Sequence, residues 1–351
     1  MPPGDAPSRV TIKDVARAAG VSVATVSRVL NDSGPVADET RTRIHRVAEE
    51  LRFIPNGAAR SLSMRRTGTL GVILPDLYGE FFSEVIRGLD QAAQRSAFHL
   101  LLSSSHNDRQ DIEAALRVMR GRVDGLVVMS PHIDADVLAA TLHDSVPAVL
   151  VNCPVEGGEF DTLRVDNFGG ARAMVAHLAS HGHRRIAMIQ GPARNHDAAE
   201  RLRGYRAALA DAGIEADAAL EVPGDFTEEG GFHAAQRLLA LDERPTAVFA
   251  ANDAMALGAV SAFVEAGVSV PGGMAVAGFD DVPISRYLTP PLSSVRVAIH
   301  ELGARAMEQL VRAVEQENRH QRIHLTLPTE LVIRDSCGGH GGRQGREVRP
   351  R

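Results

Sequence analysis

Residues 11–31, Thr-Ile-Lys-Asp-Val-Ala-Arg-Ala-Ala-Gly-Val-Ser-Val-Ala-Thr-Val-Ser-Arg-Val-Leu-Asn (TIKDVARAAGVSVATVSRVLN), decide how the rest of the chain is read. Thr11 and Asp14 have the spacing of a Thr-x-x-Asp box, in which hydroxyl and carboxylate satisfy the free amides of a first helical turn. Val15, Ala16 and Ala19 then share one face at helical spacing. Gly20 ends that helix, because a residue with positive φ costs least when it has no Cβ. Ser22 is placed to cap a second helix whose Val26, Val29 and Leu30 face inward. Val23, Ala24, Thr25, Ser27 and Arg28 are left near the exposed start of that helix. Small side chains, hydroxyls and one Arg at such a start suit a reader of the DNA major groove. An ordinary helical hairpin without a ligand satisfies the same local pattern.

Downstream, residues 31–39 (NDSGPVADE) are loop-like, punctuated by Gly34-Pro35. Asp38 to Leu51 then reads as a third helix with Ile44, Val47, Ala48 and Leu51 as its inner stripe. Pro55-Asn56 breaks the pattern, and residues 57–66 hold helix formers in a run too short to be stable alone in water. Charge follows the same division. Residues 1–66 carry 11 Lys+Arg against 7 Asp+Glu, and the remainder carries 27 against 37. A small basic head on an acidic body fits a nucleic-acid module joined to something that is not one.

From Leu70 onward the pattern alternates. Strand-like runs are expected at 70–75, 100–104, 125–129, 148–152, 185–190, 220–223, 247–251 and 275–278, with helix-like segments between them. This alternation implies α/β architecture, with parallel sheets covered by helices on both faces. Two sets of strands suggest two lobes, and ligands of such sheets bind beyond the carboxyl ends of the strands. Those ends carry Asp76, Asn152, Asn252-Asp253 and Asp280-Asp281, with Tyr78, Phe81, Phe82 and Phe226 just beyond strand ends and Arg201 early in a following helix. Carboxylates and amides to grip hydroxyls, an Arg to orient them and aromatic faces to stack on suit a sugar-like ligand. Asx residues capping the next helices are the plainer explanation, position by position.

Other chemistry finds little support. With 351 residues, 44% of them hydrophobic, the chain can bury a sizeable core over two or three domains, and no apolar run reaches the ~20 residues of a membrane span. The start, MPPGDAPS, lacks the basic and apolar regions of a signal peptide, so a cytoplasmic location is expected. Cys153 and Cys337 have no zinc-like spacing and no His beside them in sequence. His177, His181 and His183 share metal-like spacing but lack an acidic or Cys partner nearby, and a helix end accounts for them. There is no Gly-x-x-x-x-Gly-Lys loop and no Gly-x-Ser-x-Gly elbow. Neither an enzyme nor a bound cofactor is expected. The Gly/Arg-rich tail has no leucine heptads for a coiled coil.

Six motifs in order resemble the lactose/galactose-repressor family of transcription regulators. They are the opening stretch, NGAARSLSMRRTGTLGVI at 56–73, NFGGARAMVAHLASHGHRRIAMI at 167–189, ANDAMALGA at 251–259, GFDDVPISRYLTPPLSSV at 278–295 and ELVIRDS at 330–336. The resemblance runs from about Val10 to Ser336. It implies a small all-α helix-turn-helix domain joined to a two-lobed body like the type I periplasmic binding proteins. The expected boundaries are a disordered start at 1–9, the DNA-binding domain at 10–55 and a hinge at 56–66. The body follows at 67–336, with lobe 1 at about 67–166 and 296–326 and lobe 2 at about 167–295 and 327–336, and then a disordered tail at 337–351.

The resemblance also implies partners and roles. Such proteins bind a pseudo-palindromic operator in double-stranded DNA as homodimers and answer to a small effector in the cleft. Val23, Ala24 and Arg28 would read base edges, and Thr11, Ser22, Thr25, Ser27 and Asn31 would meet phosphates or flanking bases. Val23-Ala24 is similar to the galactose branch, which implies a GTAA-type half-site around a central CG. In the hinge, Asn56 and Ala59 would lie on DNA and Leu62 would be wedged into the minor groove at the dyad. Effector positions carried over are Arg201, Phe226, Asn252 and Asp280, with Asp76, Phe82 and Asn152 beside them. Tyr78-Gly79-Glu80-Phe81-Phe82 departs from the Asn-Pro pattern of many relatives. The reading is a repressor of carbohydrate genes with a sugar-like effector. A purine or nucleoside co-repressor, and a solute-binding protein without a transcriptional role, are the alternatives.

Overall fold

The computed structural model describes residues 10–31, 34–54, 66–133, 135–142, 146–155, 160–316 and 319–338. The hinge positions Asn56, Ala59 and Leu62 lie outside the described residues, as do residues 1–9 and 339–351. The chain divides into two compact units, Met1–Gly68 and Thr69–Arg351.

The first unit contains three helices, α1 (Ile12–Ala19), α2 (Val23–Leu30) and α3 (Asp38–Glu50). Their facing stripes bury Val15, Ala16, Ala19, Val26, Val29, Ile44, Val47 and Ala48 in one apolar cluster. Gly20 turns the chain between α1 and α2 at φ 65°, and its N–H reaches back to the carbonyls of Ala16 and Arg17. A left-handed residue at that position favours Gly. Ser22 caps α2, its Oγ accepting from the Thr25 amide at 3.1 Å. The core is small, so the caps and the turn carry a large share of what holds α2 in place.

The second unit is built on two six-stranded sheets. The first holds β1 (Thr69–Leu74), β2 (His99–Ser104), β3 (Leu126–Met129), β4 (Ala148–Val151), β5 (Asp161–Val165) and β11 (His324–Leu327), in the order β11-β5-β4-β3-β1-β2, all parallel. The second holds β6 (Ile186–Ile189), β7 (Glu221–Val222), β8 (Ala247–Ala250), β9 (Ala275–Asp280), β10 (Ser293–Arg296) and β12 (Glu330–Val332), ordered β12-β10-β9-β8-β6-β7. Its strands are parallel except β12, which runs antiparallel to β10 at the sheet edge. Helices α4 (Glu80–Arg95), α5 (Arg109–Met119), α6 (Ala135–Leu142) and α11 (Ile299–Gln316) belong with the first sheet. Helices α7 (Asn167–Ser180), α8 (His196–Asp211), α9 (Glu228–Leu239) and α10 (Asp253–Glu265) belong with the second. The chain crosses between lobes three times: between β5 and α7, between β10 and α11, and between β11 and β12.

The near-continuous apolar runs of the central strands follow from burial on both faces. Strand order reverses between β1 and β3 in one sheet and between β6 and β8 in the other, so each lobe opens a crevice at the carboxyl ends of its strands. Glycines bring α9 and α10 close enough to shape one wall. A Cβ at Gly258 would fall on the Glu228 carbonyl, and one at Gly231 on the backbone of Met255. With the helices in contact, Asn252 Nδ2 donates to the Phe226 carbonyl at 3.0 Å.

The tail boundary needs correction. Cys337 was placed with the disordered tail, yet it is 1% exposed in a turn at Asp335–Cys337 closed by Gly338. Ser336, also buried, donates to the Val276 carbonyl and accepts from the Ser293 amide. Those bonds and the burial of the thiol hold the turn against the second sheet. His177 Nε2 lies 3.4 Å from Cys337 Sγ, a neighbour 160 residues away that sequence proximity did not reveal.

Candidate DNA-reading helix and interlobe cavity

On the head, Ser22, Val23, Ala24 and Arg28 are exposed, while Thr25, Ser27 and Asn31 are half-buried. The hydroxyls are held by their neighbours: Ser22 Oγ and Thr25 Oγ1 are 2.8 Å apart, and Asn31 Nδ2 donates to Ser27 Oγ at 3.2 Å. Val23 is 41% exposed at the start of α2. Thr11, before α1, gives its amide and its hydroxyl to the Asp14 carboxylate at 3.0 and 2.7 Å. The Thr11 hydroxyl, then its amide and the Arg17 charge, hold the Asp14 carboxyl below the usual carboxylate range.

In the body, a cavity of about 220 Å³ lies between the two sheets. Asp76, Phe82, Asn152, Arg201, Phe226, Asn252 and Asp280 all line it, although they come from five strand ends and two helices. Three of these residues have positive φ: Asn152 at 49°, Phe226 at 71° and Asp280 at 103°. Such angles are costly for residues with a Cβ, about 1–3 kcal/mol each, and persist where the surroundings over-determine them.

Arg201, 4% exposed, is the centre of the wall. Its Nε donates to Asn167 Oδ1 at 2.8 Å, one Nη donates to the Ala251 carbonyl at 2.5 Å, and the other pairs with Asp280 at 3.2 Å. The guanidinium also stacks 3.8 Å from the Phe279 ring centre and lies 5.8 Å from that of Phe226. Asp281, adjacent in sequence, takes no part in this pairing and instead meets Arg296 and Arg334.

Two buried carboxylates beside Asp280 also line the cavity. Asp197, near the start of α8, accepts from Asn167 Nδ2 at 2.9 Å. Asp253, opening α10, accepts from the Val282 amide, Ser285 Oγ and Ser294 Oγ. Burial pushes Asp197 and Asp280 up to about 6 despite the Arg201 charge. Burial and then the Asp280 charge push Asp253 up to about 8. Among the described residues no group of three or more His, Cys, Asp or Glu is placed to hold a metal.

Sequence reasoning left Asp197 and Glu80 out of the site. No local signal marks Asp197, which reads as one more acid in a helix's first turn. Glu80 falls in the departing segment Tyr78–Phe82, and its Oε2 accepts from the Ile284 amide of the opposite lobe at 2.9 Å. Two more contacts cross between the lobes: the His196 amide donates to the Pro131 carbonyl at 2.9 Å, and Asn195 Nδ2 lies 3.1 Å from His132 Nε2. Asn195 Oδ1 already accepts from the Ala198 amide, so its NH₂ group donates and His132 Nε2 accepts, which requires a neutral imidazole. Burial, then the Arg194 charge, lowers the His132 pKa and favours that form.

A helix-turn-helix head joined to two α/β lobes around a ligand-sized cavity defines a ligand-binding DNA regulator. Two family models match the chain: bacterial regulatory proteins, lacI family, over residues 11–56, and a periplasmic binding protein-like domain over residues 175–337. The chain is 35% identical to a transcriptional repressor PurR of Photobacterium profundum over 328 residues, covering 93% of this chain and 98% of that protein. It is also 35% identical to the ribose operon repressor of Escherichia coli K12, covering 90% of this chain and 97% of that protein. Among solved structures, the lac repressor dimer bound to operator and an anti-inducer superposes with a TM-score of 0.85 at 29% identity, covering 94% of this chain and 99% of that one. The chain belongs to the lacI family of bacterial regulatory proteins. No described helix is long and apolar enough to cross a membrane.

Proposed function

We propose that this protein is a cytoplasmic, non-enzymatic repressor of carbohydrate genes that binds a CG-centred pseudo-palindrome as a homodimer and is switched by a sugar-like effector in the interlobe cavity. The observation that carries the reading is the union, in one chain, of an exposed α2 start with a cavity whose wall is a buried Arg201–Asp280 pair. Val23, Ala24 and Arg28 read base edges from the major groove, and Thr11, Ser22, Thr25, Ser27 and Asn31 meet phosphates or flanking bases. Asn56 and Ala59 lie on the operator, and Leu62 acts as the minor-groove wedge. Asp76, Phe82, Asn152, Arg201, Phe226, Asn252 and Asp280 hold the effector. The effector acts by linkage: it stabilises one closure of the lobes, and that closure favours one spacing of the paired heads.

A gel shift tests the reading. A duplex carrying GTAA-type half-sites around a central CG is expected to bind at low salt, with affinity falling steeply as salt rises. Exchanging Val23-Ala24 for bulkier polar residues is expected to change which half-site is preferred. A uniform loss on every duplex contradicts the base-reading roles, and no shift on any operator-like duplex at low salt sinks the regulator reading for this chain.

A further inference from the structure

The cavity wall is far richer in acceptors than in donors. Its buried carboxylates are Asp197, Asp253 and Asp280, and its outer part adds Asp76, Glu80, Asp225 and Glu228. Against these stand Arg201 and the accepting, neutral His132. Three of the five N–H donors of Arg201 already serve Asn167, the Ala251 carbonyl and Asp280, and Asp280 balances its charge, so two donors remain for a ligand. Asn252 uses its NH₂ group on the Phe226 carbonyl and its oxygen on the Met255 amide. Asn152, 3% exposed, has a buried Oδ1 with no hydrogen-bond partner among the described residues. A buried acceptor without a donor is costly, so a molecule in the cavity gains by bringing one.

We infer that the effector is a hydroxyl-rich molecule bearing no anionic group, a free sugar or an amino sugar, and that phosphorylated and acidic sugars are rejected. The inference rests on the reading of this cavity as the effector site. Hydroxyls donate to Asn152 Oδ1 and to the carboxylates, and a ligand ammonium offsets part of the wall's excess negative charge. A phosphate or carboxylate placed here loses its hydration, finds few free donors and faces like charge. Burial and then the neighbouring Asp280 charge raise Asp253 to about 8, so near neutral pH Asp253 is protonated and the wall's negative charge comes from its other carboxylates. Rejection by like charge and unpaired acceptors is a common source of specificity.

The test uses the full chain and matched ligands, first by thermal shift and then by titration calorimetry. Ribose is compared with ribose 5-phosphate, glucose with glucosamine and glucose 6-phosphate, and cellobiose with cellobionic acid, with hypoxanthine as an uncharged ligand lacking hydroxyls. At least one free or amino sugar is expected to raise the Tm, with its anionic counterpart binding at least 100-fold more weakly. An anionic member that binds as tightly as its parent overturns the inference, and so does a panel in which hypoxanthine alone binds. A panel without any binder instead removes the sugar-site reading beneath it, which the ligand-free gel shift does not touch. Asp197→Asn keeps the size of the side chain and an acceptor for Asn167 while removing one charge. It is expected to narrow the ratio between free and phosphorylated sugar about tenfold, whereas a purely structural role would weaken both alike.

Discussion

In the described head no charged residue is buried, and the core is apolar throughout, five of its eight buried residues being Ala and Val from two short helices. In the body three carboxylates and a guanidinium are buried side by side, and residues with costly backbone angles supply the same wall. The head places most of its polar groups on the surface, where hydration satisfies them until a partner with its own charge displaces the water; Arg43 Nε is the exception among the described residues, buried without a hydrogen-bond partner. The body removes polar groups from water in advance and holds them with hydrogen bonds from distant parts of the chain. One region is built to meet an extended, salt-screened polyanion; the other is built to enclose a small molecule whose groups it must match one by one.

The sharpest way to break this contrast is to remove the cation from the buried cluster. Arg201→Ala leaves Asp280 buried without its ion pair and Asn167 Oδ1 without its donor, and breaking such a pair costs about 3–5 kcal/mol. Denaturant unfolding followed by a probe confined to the body is expected to show that loss, while the unliganded head keeps its helicity. A loss below about 1 kcal/mol would mean that Asp280 takes up a proton as easily as it keeps Arg201.

Acidity should move the two regions in opposite directions. Asp197, Asp253 and Asp280 have folded pKa values raised to about 6, 8 and 6, above those of the unfolded chain. Between the unfolded carboxylate pKa of about 4 and these values the folded body holds more protons than the unfolded one. Its stability therefore falls as pH rises across that window. Asp14 has the opposite sign: its folded pKa is depressed, so its contribution is present at neutral pH and is lost as pH falls through the folded value. Melting at pH 5.5 and 7.5 is expected to show a more stable body at the lower pH. A body less stable at pH 5.5 would mean that the carboxylates are stabilised as anions after all.

Legibility in the sequence divides along the same line. The head was readable because its logic is local: a box over four residues, a Gly at a helix end and stripes at helical spacing. The central strands were readable as apolar runs such as Leu126–Met129 and Ala148–Val151, whose two faces are both buried. Asp161–Val165, Ser293–Arg296, His324–Leu327 and Glu330–Val332 were not, because they are short and polar and lie at or beside the sheet edges where the chain changes lobe. Their polar groups are satisfied by residues far along the chain. Asp161 takes Gln309, His320 and the Ile323 amide, and Ser294 donates to Asp253. Seven residues assigned to the effector from resemblance do line one cavity, yet Asp197 and Glu80, which also line it, carry no pattern that spacing can detect.

The smallest predicted effect separates the head's stability from its encounter with DNA. Ser22 Oγ caps α2 through the Thr25 amide and also touches Thr25 Oγ1. Ser22→Ala removes both and is expected to cost the head about 1 kcal/mol, and Ser22→Gly a few tenths. Ser22→Asp keeps a capping oxygen and adds a negative charge to the positive end of the helix dipole, so head stability should be unchanged or slightly higher. The same carboxylate would face phosphate if Ser22 lies against the DNA backbone, and operator affinity should then fall on all duplexes alike. Stability is read from the thermal unfolding of the head and affinity from the gel shift at two salt concentrations. Should Ser22→Asp bind operator as tightly as the parent at low salt, Ser22 is a cap and nothing more, and the phosphate-facing edge of α2 begins further along the helix.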